Sequence, residues 1–173
     1  MYLDFMDTPI GTLEIRASDL GVSKVTFHEP EQRISNKNDI TDQCKQQLEE
    51  YFAGKRKSFD LHLDQNGTDF QKSVWVCLLQ MPFGQTASYQ DIAIRINNPK
   101  SVRAVGAANG KNPIGIIVPC HRIIGSNQTL TGYAGGLDRK AWLLKHEGVN
   151  LKNFGDTKLN NTSKNLQKNL FHN

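Results

Sequence analysis

Cysteine is scarce in this 173-residue chain: Cys44, Cys77 and Cys120 stand far apart. An odd number with no Cys-x-x-Cys pair argues against a cysteine-built zinc site and against a disulfide framework. No apolar run is long enough to cross a bilayer, and the start, MYLDFMDTPIG, has early acids and no basic flank. Neither a membrane association nor an export signal is therefore expected. Without export, the Asn-x-Ser/Thr triplets at Asn66, Asn127 and Asn161 carry no glycosylation meaning. The expected compartment is the reducing cytoplasm, or the nucleus in a eukaryotic cell. The lone His28 and His62 read as surface or core residues rather than ligands, and no metal and no cofactor is expected.

Composition is otherwise that of a globular protein, with 38% hydrophobic and 22% charged residues. A chain of this length buries roughly two-thirds of its unfolded surface. The net charge of +4 hides an asymmetry. Residues 1–66 hold 8 Lys and Arg against 12 Asp and Glu, a balance of −4; residues 67–173 hold 13 against 5, a balance of +8. A basic half joined to an acidic half fits either a solvated surface or a face turned to a polyanion.

From Tyr2 to Phe27, apolar and polar positions alternate between turn signals at Thr8-Pro9-Ile10-Gly11 and Asp19-Leu20-Gly21. This predicts short antiparallel strands over 2–6, 12–17 and 22–28. Residues 29–40 read as a charged loop. Thr41 is then placed to N-cap a helix with Cys44, Leu48, Tyr51 and Phe52 on its apolar face and Gly54 as its stop. Asp60 to Leu63 offers one more strand, and residues 64–67, Asp-Gln-Asn-Gly, mark the expected domain boundary. The expected organisation is thus a domain over 1–66, a second over 67–150, and a polar, flexible tail over 151–173. Asn supplies seven of the 24 residues from Asn150 to Asn173.

Beyond the boundary the period becomes helical. Thr68 and Gln71 fit a capping box ahead of Phe70, Val74, Cys77, Leu78 and Met81, and Pro82-Phe83-Gly84 ends that helix. Ser88 and Asp91 fit a second box opening Tyr89 to Ile96. The link Asn97-Asn98-Pro99 leads into Ser101 to Asn109, which stops at Gly110. Two short helices joined by a tight turn read as a helix-turn-helix, and small residues at 104 and 106–108 permit close approach to another backbone. Gly125 to Gly136 reads as a loop or wing, and Asp138 to Glu147 as a last helix carrying Trp142, Leu143 and Leu144. Cys44 and Cys77 both lie on apolar stripes, as core thiols do.

The stretch the chain is organised around is Ile116-Ile117-Val118-Pro119-Cys120-His121-Arg122-Ile123-Ile124. The Ile/Val runs read as buried extended segments, and Pro119 ends the first of them just before the sulfur. A thiol reacts as its thiolate, so Cys120 needs a group to take its proton. His121 is adjacent, yet neighbouring side chains on an extended backbone point to opposite faces; a water can bridge such a gap. Glu147, one of five acids in the basic half, is the natural group to orient the imidazole. Residue types alone leave a second reading equally open, a buried cysteine beside a structurally paired His and Arg.

Pro119-Cys120-His121-Arg122, with Asn112-Pro113 upstream, resembles the signature of the O6-alkylguanine-DNA alkyltransferases, also called methylated-DNA–protein-cysteine methyltransferases. Further likenesses follow in order: Ser88-Tyr89-Gln90 with Ile92-Ala93, Arg103-Ala104-Val105-Gly106, Gly132-Tyr133-Ala134-Gly135-Gly136, and Trp142-Leu143-Leu144-Lys145-His146-Glu147-Gly148. Together they span residues 68–148. The resemblance implies an α+β fold. A small N-terminal α/β domain of antiparallel strands plus a helix would precede a mainly helical, winged helix-turn-helix domain holding the DNA-binding and active sites.

It also implies a direct, irreversible and stoichiometric repair of DNA. The alkyl group of O6-alkylguanine, and of O4-alkylthymine, would pass to Cys120 after the base has left the stack. By the same resemblance His121 relays the thiol proton, Glu147 orients it, and Tyr89 supplies a proton to guanine N3. Arg103 fills the gap left by the base, on a DNA-facing helix that includes Ser101, Ala104 and Gly106. Asn112 is the hinge; Gly115, Pro119, Ile123, Tyr133, Ala134 and Gly135 line the pocket, and Arg122 is structural. The small residues Gly115 and Ala134 lead us to expect room for alkyl groups larger than methyl. The implied partner is double-stranded DNA, bound from the minor groove without strong sequence preference by a monomer.

The basic half makes a measurable demand. Affinity for duplexes of unrelated sequence should fall together as salt rises, because each neutralised phosphate releases counterions. Fluorescence titrations at several salt concentrations check this, and a salt-insensitive complex would contradict it.

Overall fold

The computed structural model describes residues 1–151 and separates into two compact units. The polar tail expected over 151–173 lies, apart from Leu151, outside the described residues.

The first unit comprises Met1–Gly67 and Pro113–Ile117. Three strands, β1 (Tyr2–Thr8), β2 (Gly11–Ala17) and β3 (Val22–Phe27), form an antiparallel sheet in sequence order. The first hairpin closes where the Thr8 hydroxyl donates to the Gly11 carbonyl (2.7 Å), with Gly11 at φ 126°. That positive φ explains the glycine there. Leu13, Ile15 and Ala17 bury the same face of β2, and helix α1 (Asp39–Phe52) buries Cys44, Leu48 and Tyr51.

Two expectations for this unit need correction. The N-cap of α1 is Asn38, not Thr41: the Asn38 side chain accepts from the Thr41 N–H (2.9 Å), while the Thr41 hydroxyl accepts from the Asn38 N–H (3.0 Å). The reciprocal box thus sets Thr41 one turn inside the helix. Nor do residues 60–63 form a strand. Only Leu63 makes a bridge, parallel to Val22, while the Asp60 backbone bonds the Gln47 side chain. The segment Pro113–Ile117 meets β3 through a parallel bridge of Ile114 to Val25. It then reverses in a γ-turn, with Ile117 N–H bonded to the Gly115 carbonyl (2.8 Å) around Ile116 at φ 71°. A buried β-branched residue at positive φ is a strained conformation.

The second unit comprises Thr68–Asn112 with Val118 onward. Helix α2 (Asp69–Leu79) starts with the Thr68–Gln71 box, and α3 (Tyr89–Arg95) with the Ser88–Asp91 box. Helix α3 ends in a Schellman motif: Asn97 takes φ 60°, its N–H bonds the Ile94 carbonyl and the Asn98 N–H bonds that of Ala93. That ending turns the chain into α4 (Val102–Gly110), which packs on α2 and α3 and receives the Trp75 indole on its Ala108 carbonyl (2.9 Å).

Cys120–Arg122 is a short 3-10 helix, where the sequence reading put the end of a strand. Pro119, at φ −83° and ψ 62°, makes an inverse γ-turn whose Cys120 N–H bonds the Val118 carbonyl (2.8 Å). Only then does the two-residue strand β5 (Ile123–Ile124) form, parallel to β4 (Ala87–Ser88). The last helix, α5 (Leu137–His146), ends with Gly148 at φ 85° in a second Schellman motif, where Val149 joins the cluster of Ile124, Leu130, Ala141 and Leu144. Among the described residues no helix is long and apolar enough to cross a membrane.

Replacing Asn38 by Ala should cost about 1 kcal/mol, and by Gly only a few tenths. Urea unfolding followed by circular dichroism measures both, and an Asn38→Ala curve superimposed on that of the unaltered chain would refute the assignment of the cap.

Candidate active site

Three short-range decisions in the chain assemble this site. The inverse γ-turn at Pro119 starts the 3-10 helix, which places Cys120, His121 and Arg122 in the second unit, all buried. The Schellman ending of α5 puts Glu147 at the helix C-cap, and the Ser88 cap sets Tyr89 at the first helical position of α3.

Glu147 is the hub. Its carboxylate accepts from Arg122 Nε (2.8 Å) and Nη2 (3.1 Å), meets His121 Nε2 at 2.7 Å, and takes the Gly84 N–H at 3.3 Å. Arg122 is fixed further by the Met81 carbonyl (2.6 Å) and lies over the Phe83 ring at 5.9 Å. Burial opposes the charge on Glu147, but His121 and Arg122 outweigh it and hold the carboxyl far below its ordinary range. Burial also lowers His121, against the pull of Glu147, and so keeps the imidazole neutral. With Nε2–H donating to the carboxylate, Nδ1 carries the free lone pair, and it is buried without a protein partner. A neutral imidazole held this way is a base with one nitrogen available.

Cys120 is buried, only 5% exposed. Burial raises its pKa, while a hydrogen bond from the Asn112 side chain and the charge of Lys140 pull the other way. Asn112 Nδ2 also donates to the Val118 carbonyl (2.8 Å), and Asn109 Nδ2 to the Cys120 carbonyl (3.3 Å), so both amides brace the turn. Burial pushes Cys44 up to about 12 and also raises Cys77, there against the charge and a hydrogen bond of Arg95. Tyr89 donates its hydroxyl to the Thr131 carbonyl (2.9 Å), with Gly106 against its ring. Burial raises the phenols of both Tyr89 and Tyr133, and the nearby Cys120 adds to each shift.

The structure therefore gathers Cys120, His121, Arg122, Glu147, Asn112, Tyr89 and Tyr133 into one unit. Pro119 and Ile123 are buried, close to the cysteine in sequence. Arg103 and Ala104 stand exposed on the first turn of α4, and the Ser101 hydroxyl turns back to the Asn98 carbonyl (2.6 Å). Ala134 is exposed, and the Gly135 carbonyl accepts from Arg139 (3.1 Å). Gly115 falls in the first unit, its N–H bonded to the Val25 carbonyl (2.9 Å). Among the described residues no group of three or more His, Cys, Asp or Glu is placed to hold a metal ion.

Lys140 escaped the sequence reading. It is fully buried, and its Nζ donates to the carbonyls of Ile123, Thr131 (2.8 Å) and Gly132 (3.3 Å). The available signal was its spacing: Lys140 lies three and four residues before Leu143 and Leu144, on the apolar stripe of α5.

Comparison with known proteins supplies independent findings. Residues 1–65 match the family model described as 6-O-methylguanine DNA methyltransferase, ribonuclease-like domain, and residues 69–149 match the DNA binding domain of the same family. A methylated-DNA–protein-cysteine methyltransferase of Methanosarcina barkeri is 48% identical over 158 residues, covering 88% of this chain and 100% of the relative. The constitutive enzyme of that name from Bacillus subtilis is 43% identical, covering 87% and 98%. The crystal structure of Mycobacterium tuberculosis OGT in complex with DNA superposes with a TM-score of 0.78 at 42% identity, covering 89% of this chain and 99% of that one.

The hub makes an energetic prediction. A carboxyl held below its ordinary 4.5 contributes stability that is fully present above that pH and drains as pH falls below it. Glu147→Gln should cost about 3–5 kcal/mol at neutral pH, because it leaves the Arg122 charge buried and unpaired. Its stability should also fall less steeply than that of the unaltered chain as pH drops below about 4.5. Urea unfolding over a pH series reads both, and coincident curves would overturn the assignment.

Proposed function

The chain belongs to the 6-O-methylguanine DNA methyltransferase family, and on that footing we propose that it repairs DNA by moving the alkyl group of O6-alkylguanine onto its own Cys120. The observation that carries this reading is the buried thiol in one unit with a neutral His121 whose Nε2 is committed to Glu147 and whose Nδ1 is free.

The steps follow from the residues. Burial keeps Cys120 protonated at rest, so the thiol must lose its proton as the substrate arrives. His121 Nδ1 takes it, directly or through a bridging water, and Glu147 stabilises the imidazolium that forms. The sulfur attacks the alkyl carbon in line; the C–S bond forms as the C–O6 bond breaks, and its electrons pass to the guanine ring. Tyr89 gives the base a proton at N3, which balances the proton lost by the thiol. The raised phenol keeps that proton until it is needed. A thioether is not hydrolysed, so each molecule acts once. O4-alkylthymine presents the same kind of bond, an alkyl carbon on an exocyclic oxygen, in a smaller base.

The target carbon is unreachable inside a duplex, so the nucleotide must leave the stack. Arg103, exposed on α4, would enter in its place, with Ala104 and Gly106 beside it as small residues that let the helix approach a backbone. Reading damage rather than sequence suits the minor groove, whose base-pair code is degenerate. We place the protein on duplex DNA as a monomer, without strong sequence preference, in the cytoplasm or, in a eukaryotic cell, the nucleus. The second domain, residues 67–150, carries the chemistry.

Incubation with duplex DNA carrying O6-methylguanine should add the mass of a single methyl group, mapped by peptide mass spectrometry to Cys120 and absent from Cys120→Ala. No mass gain by the unaltered chain would sink the proposal.

A further inference from the structure

Lys140 is the most deeply buried cation in the described part of the chain, and its three hydrogen bonds define what it holds. An ammonium has three donors and a neutral amine two, so three accepting carbonyls select the charged form. Burial lowers the group to about 8, which still leaves it protonated at neutral pH. The carbonyls come from two places: Ile123 opens β5 directly after the 3-10 helix of Cys120, while Thr131 and Gly132 belong to the loop between β5 and α5. The titratable groups that face the ammonium are Cys120 and His121, both coupled to it by charge.

The Thr131 carbonyl has a second donor, the Tyr89 hydroxyl at 2.9 Å. Its two lone pairs are thus shared between Lys140, at 2.8 Å, and Tyr89. Gly132, at φ 54°, lies against the same hydroxyl, which a Cβ there would approach to 3.5 Å. The loop therefore has no regular structure of its own at this point but is held from one side by a buried charge, and it holds Tyr89 from the other.

We propose that Lys140 is a positioning residue for alkyl transfer: by pinning the Thr131 and Gly132 carbonyls to the start of β5, it fixes the acceptor that aims the Tyr89 hydroxyl. This rests on the reading of Tyr89 as proton donor. Without the ammonium the loop carbonyls lose their tie to β5, and the phenol loses its fixed acceptor while the thiol and its base stay in place.

A double-mutant cycle tests this, with Lys140→Met and Tyr89→Phe measured singly and together by single-turnover transfer from an O6-methylguanine duplex. Lys140→Met should slow transfer roughly ten- to hundredfold, the scale of losing orientation of one reacting group. In the Tyr89→Phe background the same change should cost several-fold less, what remains being the lost Lys140 charge near Cys120, since residues acting as a unit are not additive. Additive effects, or an undiminished rate in Lys140→Met, would overturn the inference. If the unaltered chain itself transfers nothing, the proposed function fails instead, so the two failures are distinct. Should Lys140→Met not fold, the intact protein still decides: lysine-selective nitrogen-15 NMR at neutral pH should show one slowly exchanging ammonium. Ammonium protons that all exchange at solvent rates would count against the clamp.

Discussion

The carboxylate of Glu147 is the point on which the second unit turns. Four donors from two parts of the chain converge on it: Nε and Nη2 on one edge of the Arg122 guanidinium and the adjacent His121 Nε2 from the 3-10 helix, and the Gly84 N–H. A buried ion pair of this kind is weak evidence for net stability but strong evidence for a fixed arrangement, since removing either partner strands a charge. Here the fixed arrangement is that of the imidazole. The fork of Arg122 leaves Glu147 no freedom to swing, so His121 has one orientation and one tautomer. A lysine at 122 would offer a point charge in place of the fork, and with it a hub free to rotate.

Backbone geometry does the rest of the positioning. Two γ-turns lie three residues apart along the chain, one around Ile116 in the first unit and one around Pro119 in the second. Proline reaches its turn without strain because its φ is already set. Ile116 does not, and a β-branched residue persists at φ 71° only where its surroundings determine the backbone more strongly than its own preference does.

What could be read from sequence follows from how local each cause is. The boxes of α2 and α3 were legible because both partners lie three residues apart and no tertiary contact is needed to pair them. The start of α1 was misplaced for the same chemistry, since Asn38 and Thr41 are both cap-forming residues and the order of the box decides between them. The run before Cys120 has the composition of a strand, but burial alone gives Ile and Val no direction, and hydrogen bonds two residues apart curled it into turns. Residues 60–63 failed as a strand because their backbone found partners in a side chain of α1 and in a single bridge. Lys140 could not be placed at all by residue type, because its partners are carbonyls, which every residue carries.

The ending of α5 has a consequence for the charge that moves during transfer. Glu147 sits at the C-cap of a ten-residue helix, where the aligned peptide dipoles leave a partial negative charge. An acid there is repelled by its own helix, so the guanidinium of Arg122 offsets two negative fields rather than one. That imbalance suits a base that is neutral until it accepts a proton. In the proposed transfer His121, on becoming an imidazolium, would gain a carboxylate and a helix end at once, both already in place and needing no reorganisation. The helix is thus an electrostatic component of the base, and shortening or recapping it would change the proton affinity of His121 without touching any side chain of the site.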